Sequence, residues 1–216
     1  MVAPRARVRR ARLPASARLT AAEEARLRAL RTPAGIQRWL DAVPYHHART
    51  VWSPRRVLRE RTAHCLEAAI FAAAALWALG CPPLLLDLEA VHDTDHVLAV
   101  FRIRRRWGAI AKSNFSSLRY RDPVYRTVRE LVMSYFDSYI NLRGERTLRA
   151  YSRPVSLSRF DRTRPGWMVS EADLWFIPEH LAAIPHTPVV TPAMARALSR
   201  VDRRSFTAAL IGHEPH

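Results

Sequence analysis

Cys65 and His96 are the residues whose types and placement can do chemistry together. Cys65 follows Thr62-Ala-His and opens a long apolar, alanine-rich segment. His96 opens the run His-Val-Leu-Ala-Val-Phe, after one helical and one strand-like stretch. A cysteine in the first turn of a helix meets unpaired N–H groups and the positive end of the macrodipole, both of which favour a negative sulfur. The dipole is worth about 0.3–1 kcal/mol, less than the roughly 1.36 kcal/mol of one pKa unit. By itself it leaves a thiol near its ordinary pKa of about 8.5 mostly protonated at neutral pH. A standing thiolate therefore needs a cationic imidazole, and His96 is the candidate.

A third group must hold the imidazole from behind. The segments from His96 to Ile103 and from Arg106 to Lys112 flank Arg104-Arg105 and read as a hairpin. A three-residue turn over Arg104, Arg105 and Arg106 pairs Ile103 with Trp107 and sets His96 opposite Asn114. A two-residue turn sets it opposite Ser113. Asn114 is the preferred orienter, because its amide oxygen accepts from Nδ1–H without carrying a charge. Trp52, Lys112 and Ser113 are assigned to substrate binding, with the Lys112 ammonium as partner for a substrate carboxylate. Tyr45, Trp52 and Tyr120 are expected along the cleft. His64 adjoins Cys65 but is turned about 100° away on a helix, and Glu67 reads as a solvated first-turn residue.

The elements that must position these groups are legible from caps and periods. Thr20-Ala-Ala-Glu23 is a capping box that opens a helix to about Arg31. Thr32-Pro33 opens a second, with Ile36, Trp39, Leu40 and Val43 in its stripe and Pro44 after it. Ser53-Pro54 opens a third. Cys65 to Leu79 is a helix closed by Gly80, and its six alanines between positions 68 and 75 let neighbouring backbone approach, so it is central and buried. Leu84 to Leu88 suits a buried strand. Asp122-Pro123 is expected to cap a long helix carrying Val124, Val128, Leu131, Val132 and Phe136. A strand follows around Leu148 to Leu157, then helices opened by Ser170 and by Thr191-Pro192. The sum is an α+β domain, with a small antiparallel sheet packed on the cysteine-bearing helix and further helices around it.

The order of helix cysteine, strand histidine and polar residue on the next strand resembles the transglutaminase-like branch of the papain-like cysteine hydrolases. The resemblance spans Thr62 to Asn114, with Trp107 leading the strand after the histidine strand. The family places an aspartate a few residues after such a tryptophan; here Ala111 and Lys112 occupy that place, and Ser113 and Asn114 are the nearest polar groups. The resemblance implies a transglutaminase-like fold and acyl transfer, with Cys65 as nucleophile, His96 as general base and acid, and Asn114 as orienter. A peptide or protein amide is the implied substrate, a thioester the intermediate, and the Cys65 N–H an oxyanion donor. No cofactor is required.

Two rival readings come from other residues. His92-Asp-Thr-Asp-His96 offers two imidazoles and two carboxylates within five residues, which suits a metal-dependent hydrolase using His92 and His96. The basic N-terminus and Arg104, Arg105 and Arg106, with Trp52, Trp107 or Trp167 to stack on bases, suit a catalytically inactive relative that binds nucleic acid or protein.

Composition bounds the rest. The 216 residues are 49% apolar and 25% charged, enough for one domain with a sizeable core. Residues 1–18 read as a basic tail and 19–216 as the domain. The formal charge is +16, yet Lys112 is the only lysine and the arginines are scattered along the chain, so the charge reads as compositional bias instead of a nucleic-acid stripe. Cys65 and Cys81 bracket a helix about 22 Å long, beyond the roughly 7 Å that a disulfide spans, and two thiols suit a reducing cytoplasm. The longest apolar run falls short of the roughly 20 residues of a membrane span.

Overall fold

In a computed structural model, which describes residues 13–213, the alanine-rich segment is the axis around which the rest is laid. It forms α4 (Cys65–Ala78), and every residue from Ala68 to Ala75 is fully buried. With methyl groups on most sides, α4 accepts α1 (Ala21–Ala29), α2 (Pro33–Asp41), α3 (Pro54–Glu60) and the sheet as close neighbours. Its end is a Schellman arrangement: Gly80 at φ 90° lets its N–H reach the Trp77 carbonyl, and the Cys81 N–H reaches Leu76. The capping box at Thr20 and Glu23 forms as expected, and the hydroxyls of Thr32 and Ser53 cap α2 and α3. α2 ends at Asp41, short of Val43.

The sheet has seven strands, all paired antiparallel. Its order is β4 (Arg121–Tyr125), β3 (Arg106–Ile110), β2 (His96–Ile103), β1 (Leu84–Ala90), β5 (Leu148–Ser152) and β7 (His186–Pro188), with β6 (Val155–Ser156) also beside β1. Strand alternation divides β2 between two cores. Val97, Ala99 and Phe101 pack with α4, whereas Leu98 and Val100 pack with Leu131, Val132 and Tyr135 of α5 (Val128–Phe136). The chain is therefore an α+β fold, with helices on both faces of an antiparallel sheet.

Several expectations are corrected. Asp122-Pro123 does not start a helix: both lie in β4, an edge strand where proline's missing N–H costs no ladder bond. The helix begins after Thr127, whose hydroxyl accepts from the Glu130 N–H, and Val124 is left exposed. Ser170 makes a local turn to the Ala172 carbonyl, and the helix of that region is α6 (Phe176–Ala183). Thr191-Pro192 does open a helix, α7 (Pro192–Ala197), and Asp202 caps a further one, α8 (Arg203–Ala209). Leu13 and Ala17 are buried against the helical layer, so part of the stretch read as a tail is packed on the fold. Residues 1–12 of that tail lie outside the described residues. Among the described residues no helix is long and apolar enough to cross a membrane.

Candidate functional site

The hairpin that was to set the site's register turns on two residues. Ile103 pairs with Arg106, and Arg104 and Arg105 both adopt positive φ, 50° and 65°, as a two-residue turn matched to strand twist requires. The expected Ile103–Trp107 pair is thus corrected, and with it the placement of Asn114 opposite His96. Ladder pairing also stops early, at Ala99 with Ile110. Just beyond it, Gln37 of α2 binds the next residue: its amide accepts from the Ala111 N–H at 3.1 Å and donates to the Ala111 carbonyl at 2.8 Å. One side chain thus satisfies both main-chain groups on the edge of β3 that faces away from β2, past the last β4 pair at Ala109.

The residues beyond Ala111 are also held by the fold. The buried Lys112 ammonium donates to the carbonyls of Leu40 and Val43, at 2.8 and 2.7 Å, so it closes the end of α2 and does not offer its charge to a substrate. The Ser113 hydroxyl accepts from the Phe115 N–H at 2.9 Å, and the Ser113 carbonyl accepts from Arg119. Asn114 is buried beside them. The segment then brings the Leu118 carbonyl to His96.

His96 is 4% exposed. Its partner is the main chain of Leu118, and its Nε2 is buried and unpartnered among the described residues, so Nδ1–H donates to the Leu118 carbonyl. A backbone carbonyl thus performs the task expected of an asparagine. Tyr139 presents its ring edge-on to the imidazole, with centroids 6.4 Å apart, and its hydroxyl donates to the Thr94 carbonyl at 2.8 Å, fixing the loop that leads into β2. Burial pushes the His96 pKa down to about 4, against the opposing pull of the Leu118 carbonyl. The ring is neutral at pH 7, with its lone pair on Nε2.

Cys65 is the first residue of α4 and half-buried. Its sulfur is approached by the N–H of Leu66, the Tyr45 hydroxyl and the N–H of Val97, the residue that follows His96. A strand N–H lies in the plane of its sheet, so the sulfur meets β2 edge-on, beyond its last pair with β3 at Ala99 and Ile110. Alternation assigns His96 to the α5 face of β2 and α4 to the other, so the sulfur and the ring approach the same strand end from two sides. Burial raises the thiol pKa, and these three donors work against it. At rest Cys65 is a thiol and His96 a neutral imidazole without a hydrogen bond from it, not the thiolate and imidazolium expected from the sequence.

Glu67 corrects another expectation. It is fully buried, and its carboxylate accepts from His46 Nδ1 at 2.8 Å, the Thr50 hydroxyl at 2.7 Å, the Trp52 N–H at 3.1 Å and the His64 N–H at 3.2 Å. Burial raises its pKa, but the His64 charge and the bonds from His46, Thr50 and Trp52 outweigh that and hold it below the ordinary range. His64 Nε2 donates to the Thr50 carbonyl at 2.7 Å. Half-buried Trp52 packs on the His46 ring, with centroids 4.0 Å apart, and on the Arg56 guanidinium, 4.7 Å from its ring centre. Half-buried Tyr120 stacks on Phe101. The sequence signal for this network is present in hindsight: histidines at 46 and 64 and a carboxylate at 67, on a helix otherwise almost wholly apolar.

The 92–96 segment is a built turn. Asp93 accepts from the Thr147 hydroxyl at 2.7 Å and the Thr94 N–H at 2.8 Å, and Asp95 accepts from the Ala90 N–H at 2.8 Å. Both carboxylates are thus engaged by the fold. Among the described residues no three His, Cys, Asp or Glu side chains are grouped so as to hold a metal ion. Two cavities, of about 610 and 260 Å³, open elsewhere, the first beside Trp167 and Trp175 and the second beside His92 and Arg149. No protein-family model matches the chain, and no curated protein matches it either.

Proposed function

We propose that the protein is a cysteine acyltransferase or hydrolase of transglutaminase-like type, acting on an amide bond of a peptide or protein. The observation that carries this reading is the buried, unpartnered Nε2 of His96, one residue from the main-chain N–H that meets the Cys65 sulfur. A desolvated lone pair without a donor is costly, and a thiol brought to it supplies one. As substrate enters, Nε2 takes the Sγ proton while sulfur bonds to the amide carbon. The imidazolium then returns that proton to the departing amine, leaving a thioester. Water or a second amine, deprotonated by Nε2, attacks the thioester carbon and releases the thiolate, which recovers the proton. The low proton affinity of the buried ring suits fast return of the proton, and the Leu118 carbonyl keeps Nδ1 protonated throughout. The metal-hydrolase reading has less support, because Asp93 and Asp95 are committed to the turn.

The test is alkylation by iodoacetamide, read at each cysteine by mass spectrometry. Cys65 is expected to label faster than Cys81, whose thiol is also raised by burial but has no such donors. His96→Ala is expected to slow Cys65 at least tenfold at pH 7 and to leave Cys81 unchanged. Equal rates at Cys65 and Cys81 in the native protein overturn the reading.

A further inference from the structure

We propose that Tyr45 is the donor that holds the negative charge developing on the Cys65 sulfur, and that Glu67, acting through His46 and Thr50, is the positioning group that keeps Tyr45 there. This rests on Cys65 being the nucleophile and adds Tyr45, His46 and Thr50, which lie outside the stretch resembling a known family, and Glu67, which lies inside it but has no part in that resemblance.

The geometry begins with the chain just before α4. Residues 44–46 run parallel to 62–64: Tyr45 bridges to Ala63, the His46 N–H donates to the Ala63 carbonyl at 3.2 Å, and the Thr62 hydroxyl donates to the Pro44 carbonyl at 3.1 Å. Successive side chains on extended chain point to opposite sides. Tyr45 accordingly faces Cys65, while His46 faces Glu67 on the far side of the helix start. The same carboxylate gathers Thr50 and Trp52 from the loop that follows, so one buried group anchors positions 46, 50 and 52 together with the start of α4.

A fully buried carboxylate is an expensive way to hold a loop, since well-packed apolar residues commonly stabilise as much. What it adds is a fixed geometry, because four donors converge on two oxygens. The Tyr45 hydroxyl suits the role assigned to it. Burial, reinforced by the nearby sulfur, holds its pKa far above the ordinary phenol value, so it stays protonated and donates. A donor to an ionised sulfur is worth about twice one to a neutral group, so its effect is largest when charge forms.

The experiment is the pH–rate profile of Cys65 alkylation by iodoacetamide in the full chain, with Cys81 as internal reference and circular dichroism to verify folding. Tyr45→Phe is expected to slow Cys65 about tenfold at pH 7 and to move its midpoint upward by about one unit. Glu67→Gln discriminates by sign. Glu67's charge raises the thiol pKa directly, so removing it lowers the midpoint if charge is all that matters. If Glu67 acts by positioning Tyr45, the midpoint rises instead, and the double variant with Tyr45→Phe rises no further than Tyr45→Phe alone. Thr50→Val, a milder change, is expected to raise it in the same direction should Glu67→Gln fail to fold. An unchanged midpoint in Tyr45→Phe, or a lowered one in Glu67→Gln, overturns the inference while the His96→Ala effect leaves the proposed function standing. If Cys65 labels no faster than Cys81 in the native protein, that function fails and this inference with it.

Discussion

His46 donates Nδ1–H to the carboxylate of Glu67 over 2.8 Å, joining the loop after α2 to the first turn of α4 through a group with no exposure to solvent. Glu67→Ala leaves the main-chain N–H groups of Trp52 and His64 without their acceptor. Each such loss costs about 1–3 kcal/mol, so a destabilisation of roughly 3 kcal/mol is expected from urea unfolding. Native stability in Glu67→Ala would mean that water or a rearranged loop replaces the carboxylate.

Two buried groups titrate with opposite consequences for stability. His96 has a folded pKa of about 4, below its unfolded value of 6.5, so the unfolded chain binds its proton first and stability falls as pH drops from 6.5 to 4. Asp87 is the reverse. Burial, opposed by the bond from His186 at 3.0 Å, raises its pKa to about 6 from 3.8, so its contribution is present at low pH and is lost as pH rises from 3.8 to 6. The two shifts are similar in size, so they largely cancel between pH 4 and 6. Asp87→Asn is expected to expose the His96 slope, a loss of about 3 kcal/mol on going from pH 6.5 to 4, and His96→Gln the opposite slope. Parallel pH–stability curves for native protein and both variants, by chemical denaturation, contradict these assignments.

Lys112 separates a structural ammonium from a substrate-binding one. Lys112→Met removes the donor that the Leu40 and Val43 carbonyls share, and a cost of about 2–4 kcal/mol is expected in urea. A variant of native stability would contradict the capping role.

The hairpin tip offers a gain. Arg104 and Arg105 both hold left-handed backbone, which costs a side chain about 1–2 kcal/mol at each position. Replacing the pair by Asn-Gly, the residues that a two-residue turn of this kind favours, is expected to raise the melting temperature by several degrees, seen by calorimetry. No gain would mean that the arginines make compensating contacts.

The local code of the helices was legible because their signals are local. Thr20 with Glu23, Thr32-Pro33, Ser53-Pro54 and Gly80 each specify an end through atoms a few residues away, and the alanines of α4 announce burial by size alone. The α+β class followed from the same signals. The period was misread at Asp122-Pro123, because a proline dipeptide serves equally at a helix start and in an edge strand, and only β3 as a neighbour chose between them.

Type and order single out Cys65 and His96 as a candidate pair, and the structure brings the sulfur to the N–H that follows His96. What holds the imidazole was not recognisable. Every residue carries a carbonyl, so nothing in the sequence marks Leu118 as the partner, and the register that pointed to Asn114 needed a turn of three residues where the chain makes one of two. Gln37 and Lys112 hold the end of the β3 segment through contacts with chain some seventy positions away in sequence. Glu67 looked like a solvated first-turn acid, because sequence records charge and helix position but not which loop covers them. The elements were thus fixed by interactions within a few residues, while the surroundings of the candidate site were decided by packing between distant segments, where burial and unpaired backbone groups choose among partners that look alike in the sequence.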